Sequence, residues 1–198
     1  MIDDFAKGYL HHQLRVVREA LVWKLDGLSE YDVRRPLTAS GTNLLGLVKH
    51  KAYSDARYLG EVFGRPFPGP VPRWNDAGAW ENEHWATEHE TRADILGLYW
   101  SVGEHSDATI DALPIDAPGH VPWWPRPDVK LFNVMIHVLN ETTRHAGHAD
   151  ILREQLDGRT GTTAEYEPAI NAAARAAYRA KVEHAARAAD PTGSVERS

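Results

Sequence analysis

The stretch Asp128–Gly158, DVKLFNVMIHVLNETTRHAGHADILREQLDG, decides the fold. Leu131, Val134, Met135, Val138, Ala149, Leu152 and Leu156 recur at the three-and-four spacing of a core-facing helical stripe. Extended through the gap after Val138, that spacing lands on Glu141, His145 and His148. Burying even a neutral polar group without a partner costs roughly 2–7 kcal/mol, so these side chains need compensation where aliphatic ones are expected. A metal ion can supply it, because Glu141 and His145 are four residues apart and project from one face of adjacent turns. His137 lies a further turn back on the same side. Asp128, preceded by Pro125 and Pro127, is placed as the N-cap, and Gly158 as the residue that closes the helix. Arg153 favours the dipole of the last turns; it and Glu154 read as surface groups or as groups behind the ligands.

Three further helices flank this one. The first, residues 4–27, carries Phe5, Leu10, Leu14, Val17, Leu21 and Leu25 at helical period and closes at Gly27. Its adjacent His11 and His12 cannot share a face, and are read as one solvated and one at a flank. Trp23 and the Arg34–Arg35 pair carry no pattern that assigns them a role. A connector, SEYDVRRPLTASG, turns the chain. The second helix spans Thr42 to Phe63, capped by Thr42 or Ser40, with His50 on the edge of its apolar stripe. The third runs from Thr87 to Leu113 around Ile95, Leu98, Tyr99, Val102, Ile110 and Leu113; His84, His89 and His105 lie among acidic residues and read as solvated.

Two Pro- and Trp-rich loops separate the helices. GRPFPGPVPRWNDAGAW, residues 64–80, is too long and proline-broken to be helical, and loops of this length in compact domains serve as lids or binding loops. PIDAPGHVPWWPRPD leads into the central helix, and its Trp123–Trp124 pair is either a hydrophobic plug or a pocket wall. After Gly158 the polar RTGTTAEYEP is followed by an Ala-rich helix, Ala169 to Ala189, with a weak stripe of Ile170, Ala173, Ala177 and Val182. The expected division is a metal-site bundle over 1–160 and, over 161–198, a linker, a helix docking on the bundle or on a second subunit, and a disordered tail. Four long helices and no credible strand make the protein all-α, a four-helix bundle with an Ala-rich C-terminal extension.

Composition narrows the chemistry. The 198 residues include 42% hydrophobic and 25% charged, enough for one soluble domain with a real core. A net charge of −6 without a basic cluster argues against nucleic acid as partner. No apolar run is long enough to span a bilayer, and the acidic N-terminus is unlike a signal peptide, so no membrane partner is expected and the cytoplasm is the default location. The absence of cysteine removes disulfides, thiolate ligands and a cysteine nucleophile. Any metal must therefore be held by His, Glu, Asp and water.

His50 in LLGLVKH and the later HVLNETTRHAGHADILREQLDG resemble the DinB/YfiT-like four-helix-bundle metalloproteins, over roughly residues 4–158. The common pattern of that family is one histidine on the second helix and two, four apart, on the fourth. Here His50 and His145 match and Glu141 takes the remaining position, a His–Glu–His set that resembles the relatives of mycothiol-dependent maleylpyruvate isomerase. The resemblance implies a divalent metal on His50, Glu141 and His145, zinc first with nickel or iron as alternatives. It also implies mycothiol or a similar low-molecular-weight thiol as cofactor and a small-molecule electrophile as partner. Two imidazoles and a carboxylate leave a coordination position open, and a coordinated thiol is deprotonated. On this reading His148 orients the site or shuttles protons, although it could equally face outward. Trp123, Trp124, Arg144 and Tyr53 are the candidate substrate contacts. The function implied is a metal-dependent thiol S-transferase for detoxification or small-molecule metabolism. The alternatives are a metal- or ligand-binding stress protein without turnover and a metal-dependent hydrolase. A homodimer through the Ala-rich final helix is the remaining expected partner.

Overall fold

The computed structural model describes residues 4–166 and 171–189. Four long helices carry it: α1 (Asp4–Trp23), α3 (Leu44–Tyr58), α4 (Arg92–Ala112) and α5 (Leu131–Asp157). A short α2 (Glu30–Arg34) interrupts the connector between the first two, and one 3-10 turn (Glu61–Phe63) follows α3. α1 packs mainly against α5, and α3 against α4 and α5. Among the described residues the protein is all-α, a four-helix bundle, apart from one small ladder. In it β1 (Pro118–His120) pairs antiparallel with β2 (Asp128–Lys130), in register Pro118 with Lys130 and His120 with Asp128.

The ends of the helices correct several expectations. Asp128 does not cap α5: it lies in β2, with its Oδ1 2.9 Å from His120 Nδ1. Lys130 is the cap residue, and its backbone N–H donates to Asn133 Oδ1 at 2.9 Å. Gly158 closes the helix as expected, in the left-handed region at φ 76° where a Cβ is disfavoured. α3 is capped by Asn43, which accepts from Gly46 N–H at 2.8 Å, in place of Thr42 or Ser40. α4 begins only at Arg92, because Thr91 and Asp94 form a capping box. Phe5 is 80% exposed and does not belong to the core stripe of α1.

The core is divided in two. Leu21, Leu25, Leu44, Leu45, Val48, Tyr99, Ala149 and Leu152 belong to one apolar cluster. Leu14, Leu59, Ile110, Leu131, Val134, Met135 and Val138 belong to the other. Where the two clusters meet, every long helix contributes polar residues: Arg18 on α1, Lys51, Ser54 and Asp55 on α3, Ser106 and Asp107 on α4, Glu141 and Thr142 on α5. Lys51 Nζ lies 3.1 Å from Asp55 Oδ1, Arg18 Nη2 3.3 Å from Asp55 Oδ2, and Arg18 Nη1 2.6 Å from Asp107 Oδ1. His11, read from sequence as solvated or at a flank, is buried, with Nε2 2.9 Å from Asp107 Oδ1. Arg153 is likewise buried: it donates to the carbonyls of Lys24 and Asp26 at 2.7 and 2.8 Å and so ties α5 to the end of α1. Trp23 is buried beside it, beneath the Lys24 ammonium.

The chain divides into two compact units, residues 1–164 and 165–198. The second contains α6 (Ala172–Ala189), started by Asn171, whose Oδ1 accepts from Ala174 N–H at 2.9 Å, and braced by an Arg187–Glu183 pair at 2.7 Å. The expected helix start at Ala169–Ile170 and the expected disordered last nine residues lie outside the described residues. Among the described residues no helix is long and apolar enough to cross a membrane.

Removing Asp55 leaves two cations buried without their shared anion. Asp55→Ala is therefore expected to lower the unfolding free energy by about 3–5 kcal/mol, read from the urea midpoint; a change near zero would mean that the layer is solvated.

Candidate metal centre and cleft

The polar gap in the α5 stripe faces the polar edge of α3. Glu141 Oε2 lies 3.6 Å from His145 Nε2 and 3.9 Å from His50 Nε2. One ligand atom from each of His50, Glu141 and His145 falls within a 4.8 Å span. These separations exceed hydrogen-bonding distance, yet they approach the edge of about 3.4 Å expected between ligands 2.0–2.1 Å from a tetrahedral ion. The three side chains are therefore aimed at a common point without bonding one another, and the donor set fits a divalent cation.

His50 is oriented from behind. Its Nδ1 lies 2.9 Å from Glu83 Oε1, so the carboxylate accepts Nδ1–H and leaves the Nε2 lone pair facing the site. Glu83 is buried and is fixed by Arg57, whose Nη1 donates to its Oε2 at 2.7 Å. Burial alone would raise the Glu83 pKa, but the bonds from His50 and Arg57 hold it below the ordinary range. A glycine makes this approach feasible. A Cβ on Gly46 would collide with the backbone of His84, so only glycine lets this loop lie against the start of α3. His84, read from sequence as solvated, is exposed on one side while its ring stacks on His50 at 4.3 Å. His50, Glu83 and His84 form a second group with ligand spacing. Glu83 is already bonded to Arg57 and His50 there, which makes it a support for the first group.

Electrostatics keep two of the three candidate ligands in a form able to coordinate. Burial pushes the His145 imidazole down to about 4, with His50 and Lys51 acting in the same direction, so the ring is neutral near pH 7. Burial opposes ionisation of Glu141, yet Lys51 first, then His145, His137 and His50, hold it below the usual carboxylate range. The His145 Nδ1 is buried with no hydrogen-bond partner in the described structure.

A cleft of about 250 Å³ opens beside these residues, lined by His50, Ser54, Arg57, Tyr58, Trp80, Trp123, His137 and Glu141. Both tryptophan-rich loops meet there, with Trp80 and Trp123 rings 5.7 Å apart and Trp74 5.7 Å from Trp123. Arg57 also stacks on Trp80, its guanidinium carbon 3.9 Å from the ring centre. Of the residues expected to contact substrate, Trp123 lines the cleft and Trp124 lies against it through Tyr58. Arg144 is exposed, and Tyr53 is half-buried near Lys49 and is not among the side chains that line the cleft. His148 is exposed, its ring 5.6 Å from that of His145; it borders a separate hollow with Thr38, Ser40, Thr42, Ile151 and Leu152. His105, read as solvated, bonds the Arg65 carbonyl at 2.7 Å. Glu83, Lys51, Arg57 and Tyr58 were not singled out as site residues by the sequence. Only the abundance of ionisable residues in NEHW and VKHK hinted at the first two.

The pattern of the family described as Mycothiol-S-transferase matches residues 9–158, and the chain belongs to that family. No curated protein matches the chain at a significant level.

Replacing the carboxylate behind His50 by an amide, Glu83→Gln, is expected to weaken metal affinity about 10–100-fold in competition with a chelator; unaltered affinity would make Glu83 a purely structural anion. His145 supplies the pH test for the metal-free protein. Its folded value lies below its ordinary 6.5, so its contribution to stability is present above about 6.5 and is lost as pH falls toward about 4. The unfolding midpoint should fall over that window, and the fall should lessen in His145→Asn.

Proposed function

We propose that this member of the mycothiol S-transferase family joins the thiol of mycothiol, or of a similar low-molecular-weight thiol, to a small electrophile in a metal-dependent reaction. The observation that carries the reading is the convergence of His50, Glu141 and His145 on one point beside an aromatic cleft, in a chain without cysteine. The protein cannot supply a thiolate itself, so the nucleophile must be brought in. A divalent ion, zinc first by its match to imidazole and carboxylate and nickel or iron otherwise, supplies when bound the positive charge that ionises a thiol near neutral pH.

The chain's own residues do the rest. Glu83 holds the His50 tautomer, and Arg57 holds Glu83. Lys51 keeps Glu141 charged, and burial keeps His145 neutral. Trp80, Trp123 and Tyr58 form a wall that shields an apolar electrophile from water. The cytoplasm, where low-molecular-weight thiols are kept reduced, and a role in detoxification or small-molecule metabolism suit such a reaction.

The test is metal content followed by calorimetry. The purified protein should carry stoichiometric metal that Glu141→Ala loses, and mycothiol should bind only the metal-loaded form. Metal without thiol binding would replace the transferase by the hydrolase or the binding module. Absence of metal from both proteins would remove the basis of the reading.

A further inference from the structure

Tyr58 ends α3 at the cleft. Both indoles of the Trp123–Trp124 pair donate to its phenol oxygen, Nε1 to Oη 3.0 and 3.1 Å. A phenol oxygen has one O–H to donate and a limited capacity to accept. Two accepted bonds fill that capacity, and they leave the O–H proton directed away from both indoles. Among the described residues no acceptor is hydrogen-bonded to this proton. The ring packs on His137 at 4.6 Å and lines the same cleft as His50 and Glu141. A half-buried hydroxyl whose acceptor side is saturated and whose donor side is unspent is built to give a hydrogen bond to something that enters the cleft.

We infer that Tyr58 is a catalytic proton donor, and that the substrates are electrophiles that develop negative charge on oxygen, an aryl epoxide being the simplest. The inference rests on the thiol-transfer reading. In the step, the thiolate sulfur attacks a carbon of the three-membered epoxide, the S–C bond forms and that carbon's C–O bond breaks. The oxygen takes the Tyr58 proton as it becomes an alkoxide. The resulting phenolate is held by the two indole N–H groups, since hydrogen bonds to an anionic acceptor are about twice as strong as neutral ones. Tyr58 then recovers a proton from solvent, matching the one released when the thiol ionised, so thiol plus epoxide gives a hydroxy thioether without oxidation or reduction. The indole faces of Trp80 and Trp123 favour a flat, apolar substituent beside the reacting carbon.

The test compares two electrophiles with metal-loaded enzyme and mycothiol. Styrene oxide needs a proton on its leaving oxygen; monobromobimane releases bromide and needs none. In Tyr58→Phe, which also frees both indoles from their shared anchor, kcat for styrene oxide should fall about 10²–10⁴-fold further than kcat for monobromobimane does, and the remaining monobromobimane rate shows the protein to be folded and thiol-competent. Equal loss with both electrophiles would make Tyr58 a structural residue and overturn the inference, as would loss with neither. A wild type that conjugates monobromobimane but not styrene oxide would overturn the substrate class and leave thiol transfer standing. A wild type that conjugates neither would overturn the thiol-transfer reading itself, and this inference with it.

Discussion

Asp55 stands between Arg18 and Lys51 in the middle of the bundle, its two oxygens 3.3 Å from one cation and 3.1 Å from the other. All three side chains are nearly inaccessible to water. Such an arrangement contributes little net stability compared with aliphatic packing, because desolvating each charge costs several kcal/mol. Its consequence is positional. Lys51 can sit deep in the bundle only because Asp55 answers it, and from there its charge acts on Glu141, His145 and His137. The layer divides the apolar core in two and places a positive charge that helps to hold Glu141 ionised and the His145 imidazole neutral.

The same constraint explains why α5 could be read so directly. A helix that packs on both sides of a polar layer must interrupt its stripe where it crosses that layer, and Glu141 and His145 are the interruption. Periodicity therefore showed the helix and where its candidate ligands Glu141 and His145 sit, whereas His50 came only with the family resemblance. Periodicity says less about His148. One turn further on it falls near the stripe by spacing, yet α5 has begun to turn that position outward, where Ala149 and Leu152 are buried and His148 is exposed.

The remaining parts of the site were hidden because they depend on contacts distant in sequence. Glu83 comes from a loop with no hydrophobic period, and its position rests on Arg57 and on the bare backbone of Gly46. Asp128 has the composition of a cap, but the β1–β2 ladder claims it and moves the helix start to Leu131. Arg153 looks like a surface cation closing a helix, although its partners are carbonyls at the end of α1. In each case local preference was sound and a tertiary partner outweighed it.

The two tryptophan-rich loops show what such partners achieve together. Neither contains a helix, and each is tied to α3 near its C-terminal end. Arg57 donates to Ala79 O at 2.7 Å and stacks on Trp80, while Tyr58 accepts from Trp123 and Trp124. Consecutive residues of one helix thus anchor both walls of the cleft, and α3 also carries His50 two turns earlier. Any shift of α3 relative to α5 would move the candidate ligand and both walls as one piece. The buried Lys51–Asp55–Arg18 set, which joins α3 to α1, opposes such a shift. Charge in the core and shape at the cleft are therefore fixed by the same helix, so a substitution that loosens the first should also disorder the second.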